Sequence, residues 1–140
     1  METSGRLILI VDDFEANREL YAYILSEKGY QVAVASDGEE AIDKALQLRP
    51  HLILMDLSLP VISGAEAARR LKADKSTKHI PVLIVTAYDP RDFSTPEKAL
   101  DCDGLLMKPC LPDQLIAEVL RFLPAADSTS LPGAQAARTT

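Results

Sequence analysis

The sequence predicts an open α/β sandwich, a doubly wound five-stranded parallel sheet with helices on both faces. Three observations lead there. Apolar runs of four or five residues recur along the chain, most of them are continuous rather than alternating, and helix-like stretches separate one from the next. Continuous runs mark strands buried on both faces, and strands alternating with helices mark parallel pairing through right-handed crossovers.

The strands are expected at Leu7-Ile8-Leu9-Ile10-Val11, Gln31-Val32-Ala33-Val34-Ala35, Leu52-Ile53-Leu54-Met55, Val82-Leu83-Ile84-Val85 and Gly104-Leu105-Leu106-Met107. The first helix is read over Glu15 to Lys28, with Leu20, Tyr23, Ile24 and Leu25 as its apolar face, and ends at Gly29, suited to a left-handed C-terminus. The second opens on Asp37 with Glu40 three residues later, carries Ala41, Ile42, Ala45 and Leu46, and stops before Pro50. Ser63 and Glu66 repeat that capping pattern ahead of Ala67, Ala68 and Leu71. A short, irregular helix is expected from about residue 95, because Pro96 cannot occupy a helix interior. Pro112 opens the last, with Leu115, Ile116, Val119 and Leu120 as its stripe.

The 140 residues fit one domain at roughly 100 to 200 residues each. Residues 6–123 are read as that domain, after a short extension at 1–5 and before a tail at 124–140 that lacks periodicity and is expected to be disordered. A net charge of -6, from 15 basic and 21 acidic residues, argues against direct nucleic-acid binding. Only five consecutive apolar residues precede Asp12, far short of the roughly 20 that span a membrane. Cys102 and Cys110 make no disulfide framework or metal cluster, so a reducing cytoplasm is expected, with both read as small, partly buried side chains. His51 and His79 precede strands, away from the crevice described next, and are read as surface residues.

In a parallel sheet the carboxyl ends of the strands share one edge, and ligands bind there where the strand order reverses. The first strand ends in Asp12-Asp13, the third in Asp56, the fourth in Thr86 and the fifth in Lys108-Pro109. Clustered carboxylates repel one another unless a hard cation lies between them, and Mg²⁺ prefers such oxygen ligands. A lysine opposite them suits a phosphoryl oxygen, with Thr86 as a further donor. Asp56, on a strand flanked by the others, is the expected nucleophile of an aspartyl-phosphate.

These residues resemble the receiver domain of two-component response regulators over about residues 6–123. The resemblance rests on Ile10-Val11-Asp12-Asp13, Leu52 to Pro60 with Gly64, Ile80 to Ala87, and Met107-Lys108-Pro109, in that order. It implies a flavodoxin-like sheet in the order 2-1-3-4-5. It implies phosphorylation of Asp56 by a sensor histidine kinase or histidine phosphotransfer protein, with Mg²⁺ on Asp13, Asp56 and the Ser58 backbone carbonyl and with Asp12 acting through water. Thr86, Ala87 and Lys108 would face the phosphoryl group, Ser58 and Tyr88 would set its lifetime, and Lys108-Pro109 would be a cis peptide. The signal would leave through the helix after the fourth strand, the fifth strand and the last helix, toward a downstream protein target.

The chain departs from the family's pattern at Leu105, where an aromatic usually switches position, and at Asp101, where a glycine usually stands. The reading that follows is a stand-alone phospho-acceptor, monomeric or weakly dimeric, and not an enzyme beyond self-catalysed phosphotransfer and slow autodephosphorylation. A phosphate-independent pseudo-receiver is the alternative. A phosphohydrolase fits less well, since Ser58 stands where its general acid would be and no insertion is long enough for a cap.

Overall fold

The computed structural model describes residues 5–87 and 102–124. The elements run β1 (Leu7–Val11), α1 (Glu15–Glu27), β2 (Gln31–Ala35), α2 (Gly38–Leu48), β3 (Leu52–Met55), α3 (Gly64–Ala73), β4 (Val82–Thr86), β5 (Gly104–Met107) and α4 (Pro112–Phe122). All pairings are parallel and the strand order is β2-β1-β3-β4-β5, the doubly wound flavodoxin-like topology expected from the sequence. The helix expected from about residue 95, with Pro96, Asp101 and Tyr88, lies outside the described residues, as do the first four residues and most of the tail.

The continuous apolar runs have a direct cause. Along β1, Leu9 and Val11 pack into one core cluster with Ala41, Ala45, Ala67, Ala68 and Leu71 of α2 and α3. Ile8 and Ile10 pack into a second cluster with Tyr21 and Leu25 of α1 and Leu115 and Val119 of α4. Successive side chains point to opposite faces, so covering both faces requires an apolar residue at every position. Burying each large aliphatic side chain contributes about 1.5 to 3 kcal/mol.

Three helices bury residues four apart, Tyr21 and Leu25 on α1, Ala41 and Ala45 on α2, Leu115 and Val119 on α4, while α3 buries a broader face of Gly64, Ala67, Ala68 and Leu71. This corrects the expected face of α1, where Tyr21 is buried while Leu20 and Tyr23 are exposed. The helix is rotated so that Tyr21, one turn before Leu25, meets the sheet. Leu46 and Leu120 likewise lie at the exposed margins of their stripes.

Local chemistry sets the helix ends. The Asp37 carboxylate accepts the Glu40 backbone N–H at 2.7 Å, and Glu40 reaches back to the Ser36 N–H at 2.8 Å. Ser63 Oγ accepts the Glu66 N–H at 3.1 Å, but the Glu66 carboxylate turns outward to Arg69 and Arg70 instead of completing a capping box. Gly29 takes φ 92°, a conformation that suits glycine, and the Tyr30 N–H returns to the Leu25 carbonyl at 3.2 Å.

Candidate functional site

Strand register brings the site together. Val11 pairs with Met55, so Asp12 and Asp56 leave the sheet side by side, where the chain passes from β1 to β2 on one side and from β3 to β4 on the other. Their backbones continue the ladder, Asp12 N–H donating to Ala35 and Asp56 N–H to Val11. Thr86 pairs with Met107, placing Lys108 just past the end of β5. The Lys108 N–H donates to the Thr86 carbonyl at 2.8 Å, and the Lys108–Pro109 peptide is cis.

Lys108 Nζ donates to Asp12 Oδ2 at 2.7 Å and to Asp56 Oδ2 at 3.1 Å. Asp12 and Asp56 are buried and Asp13 is exposed, and each offers an oxygen within 4.8 Å of the others. Burial pulls the Lys108 pKa down, but hydrogen bonds and charge from Asp12 and Asp56 outweigh it and leave the ammonium above its ordinary value. Three carboxylates outnumber the single ammonium bonded between two of them, an excess of negative charge that a divalent cation would offset. An all-oxygen set, one member open to solvent, fits a hard ion that keeps several waters.

The other expected residues are placed unequally. Ser58 is exposed, and its backbone N–H donates to Asp56 Oδ1 at 3.2 Å. Thr86 is buried at the end of β4 and Ala87 is exposed just beyond it. Leu105 is half-buried against the cluster under α2 and α3. Cys102 and Cys110 are half-buried and pack against the core clusters on opposite faces of the sheet. His51 and His79 are exposed, and His51 Nδ1 accepts the Leu7 N–H at 3.0 Å, a structural bond far from the crevice.

Three partners of the acidic cluster were missed in the sequence. Asn17 Nδ2 donates to Asp12 Oδ2 at 3.2 Å, Arg18 Nη1 donates to the Asp12 carbonyl at 2.8 Å, and the Phe14 N–H donates to Asp12 Oδ1 at 2.9 Å. Their signal was position alone: polar groups in the first turn of a helix that starts directly after the strand end. Tyr21 lies deeper, where burial first and then the Cys110 thiol push its phenol up to about 12, against the opposing Lys108 charge.

The fold and this geometry define the class, a flavodoxin-like α/β protein with an acidic, lysine-bridged crevice at the carboxyl ends of its strands. A family model described as the response regulator receiver domain matches residues 8–120. The chain therefore belongs to the receiver-domain family of two-component response regulators. It is 34% identical over 116 residues to the polar-differentiation response regulator DivK of Brucella anthropi, covering 83% of this chain and 94% of DivK. The chemotaxis response regulator CheY4 of Vibrio cholerae superposes with a TM-score of 0.77 at 31% identity, covering 84% of this chain and 98% of that one. The receiver domain of a sensor histidine kinase from Pseudomonas aeruginosa, solved with magnesium coordinated in its active-site cleft, matches with a TM-score of 0.77 at 28% identity, over 86% and 98% of the two chains.

Proposed function

We propose that this receiver takes a phosphoryl group on Asp56 from a phosphohistidine of a sensor kinase or phosphotransfer protein and signals through contacts with a downstream protein. The observation that carries this reading is the Lys108 ammonium held between Asp12 and Asp56 in a cluster of three carboxylates. A carboxylate oxygen of Asp56 attacks phosphorus, the phosphorus–nitrogen bond of the donor breaks, and the imidazole leaves with the electron pair and takes a proton. Asp13, Asp56 and the Ser58 carbonyl would hold Mg²⁺, with Asp12 acting through water. When bound, the cation supplies charge neutralisation for the approach of one anion to another.

The chain's own residues support that division of labour. Among the described residues the Asp12 carboxylate accepts three protein donors against two at Asp56, and Asp13 is exposed, so of the three Asp12 best suits an outer position. The Ser58 N–H orients Asp56, and Lys108 is close enough to pass from Asp56 Oδ2 to a phosphoryl oxygen with little movement. Thr86 and Ala87 stand at the end of the neighbouring strand as contacts for another phosphoryl oxygen, and Ser58, two residues after Asp56, would be one of the two rate-setting side chains, with Tyr88 as the other. Among the described residues no helix is long and apolar enough to cross a membrane.

The test is intact-mass spectrometry after incubation with acetyl phosphate and Mg²⁺, with Asp56→Asn and a chelator as controls. One labile phosphoryl adduct, absent from both controls, is the expected result. An adduct that persists in Asp56→Asn would remove Asp56 from its role. Turnover of a chromogenic phosphate ester should not exceed the slow loss of the protein's own acyl phosphate.

A further inference from the structure

Asp12 is held at every polar atom. Its N–H donates to Ala35, its carbonyl accepts Arg18 Nη1, Oδ1 accepts the Phe14 N–H, and Oδ2 accepts both Lys108 Nζ and Asn17 Nδ2. The two donors on Oδ2 differ in kind. Lys108 is shared with Asp56 and sits on a flexible stem, whereas Asn17 stands in the first turn of α1, where its own N–H and that of Arg18 are bonded to the Phe14 carbonyl.

We infer that Asn17 is a positioning residue for the acidic centre, its amide holding the Asp12 carboxylate in place when Lys108 turns toward a phosphoryl oxygen and thereby sustaining the cation affinity of the crevice. The inference rests on the receiver reading given above. A carboxylate with one fixed donor on each oxygen cannot rotate, and with Lys108 disengaged the donors left on Asp12 are the Phe14 N–H on Oδ1 and Asn17 on Oδ2. Remove Asn17, and the orientation of Oδ2 follows the lysine. A neutral amide suits this task better than a second cation would, because it orients the carboxylate without subtracting from the negative charge that attracts the metal. Capping does not explain the bond, since the amide points back to the strand end while the N-cap position of α1 is Phe14.

The test is calorimetric titration of the full chain with MgCl₂ and no phosphodonor, for wild type, Asn17→Leu, Asn17→Gln and Asp13→Asn, with melting curves in chelator for each. Asn17→Leu should weaken Mg²⁺ binding about tenfold or more, the size typical of lost outer-sphere support. Asn17→Gln, which keeps the amide on a longer stem, should recover most of that, and the melting temperatures of both in chelator should stay near wild type. Wild-type affinity in Asn17→Leu, alongside binding abolished in Asp13→Asn, overturns the inference and leaves the receiver reading intact. A weakened affinity that Asn17→Gln does not recover, matched by a lower melting temperature in chelator, overturns it in favour of a packing role. A wild-type chain that binds no Mg²⁺ overturns the metal site of the receiver reading and the inference with it.

Discussion

Lys108 and Asp12 are 96 residues apart in the chain and 2.7 Å apart in the fold. The contact joins the end of β5 to the end of β1 across two intervening strands, and the same ammonium reaches Asp56 on β3. Lys108 thus ties the end of β5 to those of β1 and β3, whose acidic residues would otherwise repel one another.

Lys108→Met should therefore destabilise the metal-free protein by about 2 to 4 kcal/mol, because it leaves two buried carboxylates beside Asp13 without their counter-charge. Urea unfolding in chelator measures the loss. Adding Mg²⁺ should stabilise this variant more than wild type, since a cation now replaces the missing charge as well as binding its own ligands. Equal shifts in the two proteins would mean that Lys108 does not compensate the cluster.

Val61 adopts φ 74°, a left-handed conformation unfavourable for a β-branched residue, and the residue is 69% exposed. Little packing is lost by removing that side chain, and the strain of about 1 to 2 kcal/mol is relieved. Val61→Gly should raise stability by about 1 kcal/mol after the entropy cost of glycine, read as a higher melting temperature. An unchanged or lower value would show that the exposed Val61 side chain makes a compensating contact.

Gly64 opens α3 where a Cβ would lie 1.9 Å from the Asp56 carbonyl oxygen, a clash with backbone that no rotamer relieves. Gly64→Ala should cost about 3 kcal/mol or more, weaken Mg²⁺ binding by displacing Asp56, and slow phosphorylation. Gly104→Ala is the comparison. Its Cβ would meet the ends of the Leu83 and Phe122 side chains at 3.0 and 3.2 Å, so a smaller loss of stability and an intact site are expected. Equal effects on Mg²⁺ affinity would contradict this account.

The alkaline limb of stability should depend on Tyr21. Its folded pKa is raised from 10.0 to about 12. Above pH 10 the unfolded chain releases the phenolic proton while the folded chain keeps it, so the stability present below pH 10 is lost as pH rises toward 12. Lys108, also raised, adds a loss of the same sign above its ordinary 10.5. Tyr21→Phe should flatten the decline between pH 10 and 12 in denaturant titrations at stepped pH. A profile of the same steepness as wild type would remove Tyr21 as a contributor.

Most of the architecture was legible because it depends on local pattern. Continuous apolar runs announced strands buried on both faces, Asp37 and Ser63 marked helix starts, and Gly29 marked a helix end. Asp12, Asp13, Asp56, Thr86 and Lys108 were legible as a group because a parallel sheet delivers all strand ends to one edge, so strand boundaries alone bring them together. The same pattern could not say how far each helix is rotated against the sheet. Leu20, Tyr21, Tyr23, Ile24 and Leu25 offer α1 several apolar faces, and packing chose the one with Tyr21.

Sequence by itself thus determined the fold class, the five strands and the identity of the crevice residues, since each follows from periodicity or from position at a strand end. Only the tertiary structure decided which atoms meet. Register between β1 and β3 set Asp12 beside Asp56, a single ammonium proved to be divided between them, and Asn17 and Arg18 came to hold Asp12 through distances of a few ångströms. Hydrogen bonds depend on such distances and angles. Those are fixed only when the helices and strands pack, and a linear pattern of residue types does not contain them.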